Sequence, residues 1–290
     1  GFYSVFMVAN EVRLRTKSYK KGETAFEWRS DGSGKYFLHP VDKEKCGTDV
    51  VIHLKDDEKE YTDKLRIQNI IKKYSNFVSF PIVVCGERVN QITAIWKEPK
   101  KNISDEQYAE FYKFISNTEE TPLSRLHTSA EAPIQFYSIL YCPATNHEVY
   151  GFKKLDHGVQ LYSNKILIQA DCKVLLPEYM RFIRGVVDST DIPLNISRET
   201  FQDNKIVHKI KSILVKQLLT LLQDMAKNEK EKYETFWRQF GRIFKEGLHF
   251  DFENRDTLAQ LMRFNSSTCN DADGLISLQE YVDRMKPEQK

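Results

Sequence analysis

From Ile206 to Met225 the apolar residues Ile206, Ile210, Ile213, Leu214, Leu218, Leu221, Leu222 and Met225 recur at three- and four-residue intervals. That period places them on one side of a helix, expected over about Arg198 to Ala226, and a stripe of that length must be buried against other structure. The start of the chain carries the other period. EVRLRTKSY and ETAFEWRS alternate as strands do, DGSG is a turn, and KYFLHPV and TDVVIHL continue an antiparallel meander. Helical spacing returns through Leu65, Ile67, Ile70, Ile71 and Tyr74, and FVSFPIVV reads as one more strand, with Gly86 as a turn. Two periods kept in separate stretches predict a mixed α+β chain.

A domain boundary is expected near Arg88 to Gln91, with no Gly/Ser-rich or acidic linker to separate the parts. After ITAIW, the segment NISDEQYAEFYKFISN pairs Ser104 with Gln107 as a capping box ahead of an apolar stripe at Tyr108, Phe111, Tyr112 and Ile115. IQFYSILYCP and LYSNKILIQA are strand-like, PEYMRFIRGVV is expected as a helix, and from Lys230 onward helix and short strand signals alternate.

Charge excludes little and suggests no partner. Forty-three basic and 41 acidic residues leave a formal net charge of +2, which favours neither nucleic acid nor a membrane surface. No apolar run reaches the roughly 18 residues that span a bilayer, so no membrane insertion is expected. The five cysteines are scattered without a CxxC, which suggests neither a disulfide framework nor a zinc site and fits a reducing compartment. GFYSVFMVANEV opens inside an apolar stretch without an initiator methionine, and the chain is expected to be a fragment.

The stretch DIPLNISRETFQDNK is the strongest candidate for chemistry. With Ser197 as a cap, Arg198 falls in the first helical turn and Gln202 one turn later on the same face, so a charged fork and a neutral donor converge beyond the helix start. Guanidinium, amide and helix N-terminus together suit a phosphate oxygen. The alternative is a solvated helix start whose arginine pairs with Glu199 or Asp203. CNDADGLISLQE places Asp271, Asp273, Gly274, Ile276 and Glu280 in an EF-hand pattern, but its first ligand position is Cys269, so a polar surface loop is the expected reading and no metal is assigned. The seven histidines form no HxxxH or HExxH pair, and GxSxG and GxxxxGK[ST] are absent. Trp96 is read either as core or as an exposed aromatic that binds other proteins.

GFYSVFMVA, YSNFVSFPI, AIW, EFYKFI, LYSNKILIQ, FIRGVVDSTDIPLNISRETFQ and LISLQEYVDRMK, in this order across essentially the whole chain, resemble the heat-shock protein 90 chaperone family, and within it the mitochondrial and bacterial branches, the mitochondrial above all. The resemblance implies that residues 1–88 are the C-terminal part of an N-terminal ATP-binding domain, an antiparallel-sheet α/β sandwich. Residues 89–290 would be a middle domain with an αβα part to about residue 200, a helical connector over about 201–228 and a small α/β piece over about 229–290. It further implies an ATP-dependent chaperone that folds client proteins under stress, an ATPase when full length, with ATP and Mg2+ as cofactors and a homodimer formed through a C-terminal domain. The fragment alone is expected to be inactive and to bind no nucleotide tightly. Arg198 is similar to the family arginine that reaches the γ-phosphate, with Gln202 and Asn195 on the same loop. Gly1 and Phe2 resemble the end of the phosphate-wrapping segment, Thr48 resembles a threonine near the adenine, Trp96 aligns with an aromatic implicated in client contact, and Leu167 falls where a residue contacts the nucleotide domain. The mitochondrial matrix, or alternatively a bacterial cytoplasm, is the implied location. A client-binding scaffold that needs no nucleotide is the competing reading.

Overall fold

The computed structural model describes residues 1–90, 93–146, 148, 158–193, 204–267 and 274–289. They form two compact units, Gly1–Asn76 with Phe80–Gln91, and Phe77–Ser79 with Ile92–Lys290.

The first unit opens with a 3-10 helix, Phe2–Met7, followed by β1 (Ala9–Lys17), β2 (Ala25–Ser30), β3 (Phe37–Val41) and β4 (Gly47–Leu54). A further 3-10 turn at Asp56–Thr62, helix α1 (Lys64–Tyr74) and the short hairpin of β5 (Val83–Val84) and β6 (Glu87–Arg88) complete it. The sheet is antiparallel, as the alternation predicts, but its order is β3-β2-β1-β4, so the chain does not continue as a meander after β3. Pro40 explains part of this: it lacks the N–H that a central strand needs, which confines β3 to an edge. β4 pairs instead with the free side of β1, setting Ile52 opposite Val12 and Val50 opposite Leu14.

The register gives the sheet two unlike faces. One carries Glu11, Arg13, Arg15, Glu27, Arg29, His39 and His53, with Glu11 bridging Arg13 and Arg29, and Glu27 bonded to Arg15. The arginines hold both carboxyls below the usual carboxylate range. The other face carries Val12, Leu14, Phe26, Trp28, Leu38, Val50 and Ile52, with Thr16 and Thr48 at one end. The expected strand FVSFPIVV shrinks to Val83–Val84, because Pro81 has no N–H and Asn90 takes over the pairing. Its side chain accepts from the Ile82 N–H at 2.7 Å and donates to the Phe80 carbonyl at 2.8 Å.

The second unit is a sheet covered on both faces. After 3-10 turns at Ile95–Lys97 and Lys100–Asn102 come α2 (Asp105–Ser116), β7 (Ser124–Ala130), β8 (Phe136–Cys142), β9 (Gly158–Ser163), β10 (Ile166–Gln169) and β11 (Arg184–Ser189). Then follow α3 (Lys205–Asn228), α4 (Lys230–Lys245), α5 (Gly247–Phe250), α6 (Arg255–Leu261), β12 (Phe264–Asn265), β13 (Leu275–Ile276) and α7 (Leu278–Asp283). The five-stranded order is β10-β9-β11-β8-β7, with β9 and β11 parallel and the other pairs antiparallel. Phe136, Leu140, Leu161 and Val187 pack with α3 and α4, while Ile139, Tyr141, Tyr162 and Val186 pack with α2, Phe77 and Trp96. The capping box predicted at Ser104 is present, with both reciprocal bonds to Gln107.

Burial on both sides also explains the misread segment. PEYMRFIRGVV is a short 3-10 turn at Glu178–Met180 followed by strand β11, not a helix. A strand covered on both faces loses its alternation, and an apolar run of this length does not distinguish strand from helix. Gly185 belongs to the strand because a Cβ there would strike the carbonyl oxygen of Ile139. Helix α3 starts later than expected. Its cap is Asn204, extended at φ −74° and ψ 116°, whose Oδ1 accepts from the N–H of Ile206 at 2.8 Å and of Val207 at 3.4 Å.

Candidate functional site

β11 runs directly toward the segment singled out in the sequence. Arg198, Gln202, Asn195 and the expected cap Ser197 lie outside the described residues, and the structure defines the strand end that leads to them. Asp188 is fully buried there. Its Oδ2 accepts from the Trp96 indole N–H at 2.9 Å and the Lys165 backbone N–H at 3.1 Å, and lies 3.2 Å from the Lys97 ammonium. Ser189 donates from Oγ to the Gln135 carbonyl at 2.7 Å, and Asp191 accepts from the Gln135 N–H at 2.9 Å. The Ile192 carbonyl accepts from Ser163 Oγ at 2.5 Å. Groups from three separate stretches, 96–97, 135 and 163–165, thus hold residues 188–192, and a segment tied in this way has little freedom.

Trp96 stands at the centre of this arrangement, and its placement corrects the reading of it as an exposed client contact. It is 0% exposed, with its ring 4.6 Å from Phe77, 5.2 Å from Tyr162 and 5.6 Å from Phe111. Its carbonyl lies 3.2 Å from Nε2 of His127. Since a carbonyl only accepts, Nε2 carries the proton, and Nδ1 must accept from the Tyr108 hydroxyl at 2.6 Å. Burial is the main reason that the His127 pKa is lowered, so the ring is held neutral. Burial likewise pushes the Tyr162 phenol up, helped by the negative charge of Asp188.

Leu167, expected to face another domain, is only 8% exposed, and its side chain is spent on the same aromatic cluster, opposite Tyr162 in the β9–β10 hairpin. In the first unit Thr48 is exposed, with its Oγ1 2.8 Å from Oγ1 of Thr16 at the end of the apolar sheet face. A hydroxyl pair bordered by Val50 and Ile52 suits one wall of a purine site, since such sites set a few polar groups in apolar surface. Gly1 is exposed, with open space where a Cβ would stand and its carbonyl accepting from the Ser4 hydroxyl at 2.7 Å, and Phe2 is 46% exposed with its ring 6.1 Å from Trp28. Among the described residues no group of three or more His, Cys, Asp or Glu could hold a metal ion. In the calcium-like segment Cys269, Asp271 and Asp273 lie outside the described residues, while Glu280 is the acidic partner of a capping box, its carboxylate accepting from the backbone N–H and hydroxyl of Ser277.

Sequence reasoning missed Asp188, Lys97, Lys165 and His127. The signal for Asp188 was a carboxylate inside the apolar run FIRGVVDS, which only becomes informative once that run is known to be a covered strand.

A family model described as Hsp90 protein matches residues 83–290. A mitochondrial TNF receptor-associated protein 1 homolog of Dictyostelium discoideum is 47% identical over 293 residues, covering 100% of this chain and 41% of that protein. The chaperone protein HtpG of Nitratidesulfovibrio vulgaris is 47% identical over 292 residues, with 100% and 46% covered, and HtpG of Desulfitobacterium hafniense is 43% identical over 290 residues, with 100% and 47% covered. The chain spans a little under half the length of these relatives.

Proposed function

The chain belongs to the Hsp90 family, and we propose on that premise that the whole protein is an ATP-dependent molecular chaperone in which this chain supplies the arginine that senses the terminal phosphate. In this reading residues 1–88 are the C-terminal part of the ATP-binding domain and residues 89–290 the middle domain. Thr48, with Gly1 and Phe2, contributes to the nucleotide wall. ATP supplies the phosphoryl group that is transferred to water and the free energy that drives the chaperone cycle, with Mg2+ held elsewhere in the whole protein. Arg198 presents a planar, permanently charged fork to the phosphate oxygens, where negative charge is spread in the transition state, and so acts as an arginine finger does. Gln202 adds a neutral donor and Asn195 shares the loop. Client proteins are the substrates, and the whole protein is a homodimer.

The observation that carries this reading is the family match over residues 83–290, a span that includes DIPLNISRETFQDNK. The fixed end of β11 supports it, because a finger residue is useful only if the backbone that delivers it is preorganised. The mitochondrial relative favours a mitochondrial location, with the bacterial HtpG relatives supporting the cytoplasmic alternative. The test is refolding of a heat-denatured enzyme by the full-length protein. Recovery is expected to require hydrolysable ATP, whereas equal recovery without nucleotide would establish the scaffold reading instead.

A further inference from the structure

We propose that Asp188 is a positioning residue for the phosphate-sensing loop, fixing the point at which the chain leaves the sheet; this rests on the reading of Arg198 given above. Asp188 is charged and completely buried in a central strand, a setting that is costly unless both oxygens are bonded. Only one of them is. Oδ2 gathers three donors, from Trp96, Lys165 and Lys97, while Oδ1 is buried with no hydrogen-bond partner among the described residues. A carboxylate arranged in this way adds little to stability that an apolar residue of the same volume would not match.

The donors explain what the arrangement achieves. Lys165 lies in the β9–β10 turn, with φ +66°, and its ammonium donates to Ser79 at 2.9 Å, while Trp96 and Lys97 come from the 3-10 turn that precedes α2. Asp188 therefore ties two turns from different stretches to one point on β11, and four residues later Ser163, also of the β9–β10 hairpin, holds the Ile192 carbonyl. The hairpin grips the strand end at both Asp188 and Ile192. Releasing the first grip frees the backbone that leads to Arg198 without touching any residue of the loop.

The experiment is made in the full-length protein. Asp188→Ala is expected to lower ATP turnover at least tenfold, with KM for ATP within about twofold, and to speed amide hydrogen exchange at residues 186–192 at least tenfold while exchange in β7 and α4 is unchanged. Asp188→Asn, whose carbonyl accepts from the same N–H donors, should recover most of both. A general structural role predicts faster exchange throughout the second unit and no rescue that tracks turnover. If Asp188→Ala does not fold, Trp96→Phe removes one donor and should give the same pattern more weakly. Folded variants with unchanged turnover and unchanged local exchange would overturn the proposal. The reading beneath it fails separately: if Arg198→Ala leaves turnover intact the loop is not catalytic, and exchange at 186–192 alone then decides whether Asp188 fixes the strand end.

Discussion

Replacing Trp96 by phenylalanine removes one hydrogen bond and part of one ring from a site with no solvent access. The lost bond runs from the indole N–H to an ionised carboxylate at 2.9 Å, and bonds to charged groups are worth roughly 1.5–3 kcal/mol. The carboxylate keeps Lys97 and the Lys165 N–H, so it is not left bare and the lower half of that range applies. Truncating a buried tryptophan to alanine costs about 3–5 kcal/mol, and phenylalanine retains well over half of the contacts, which leaves roughly 1–2 kcal/mol for the cavity beside Phe77 and Tyr162. The sum, about 3 kcal/mol, is a large fraction of the 5–15 kcal/mol typical of a domain and corresponds to a fall of about 6–12 °C in the melting temperature of the second unit. Calorimetry of Trp96→Phe, Asp188→Ala and the double variant measures this directly. The pairwise coupling should reach about 1 kcal/mol, because each single change removes the same bond. A cost below about 1 kcal/mol with no coupling would show that the bond does not hold in solution and that Trp96 is not the anchor described. Fluorescence gives an independent check: with Trp28 and Trp237 both replaced by phenylalanine, Trp96 should emit at short wavelength and ignore an added unfolded client.

His127 predicts a pH dependence. Its folded pKa lies below the ordinary 6.5, so the unfolded chain takes up the proton first; the stabilisation is complete above about pH 6.5 and is lost as pH falls below it. Melting temperature should drop between pH 7.5 and 5.5, and His127→Gln should flatten that slope; an unchanged slope would contradict the buried neutral ring. Ser104→Ala should cost about 1 kcal/mol by urea unfolding, since the capping box loses its hydroxyl acceptor, and a change under about 0.3 kcal/mol would count against the cap. Millimolar calcium should leave the melting temperature unmoved, because the Glu280 carboxylate is already engaged with Ser277; a clear rise would restore the calcium reading.

What was legible in the sequence was what depends on neighbours along the chain. The alternation of β1 and β2 and the Ser104 capping box involve residues a few positions apart, so their physics is visible in one dimension. What was not legible depends on long-range partners. β4 joins β1 rather than β3 because Pro40 confines β3 to an edge, and β11 reads as a helix because layers on both its faces erase its period. A lone tryptophan carries no periodic signal, and its burial depends on Phe77, Phe111 and Tyr162, which are distant in sequence. Asp188 was hidden for the same reason: a carboxylate reads as solvent-facing until its three donors, Trp96, Lys97 and Lys165, are seen to converge on it. The loop motif lies outside the described residues: its residue types alone allow either an anion clamp or a solvated helix start, and only the family resemblance ties it to a nucleotide.

The central claim is that Arg198 acts on the terminal phosphate and contributes little to holding the nucleotide. Steady-state ATP turnover by full-length Arg198→Ala, set beside ATP affinity from calorimetry on the same preparation, tests it most directly. Turnover is expected to fall by about three orders of magnitude, the lower end of what arginine fingers supply, with the dissociation constant within about threefold of the unaltered protein. Turnover that stays within twofold would contradict the account.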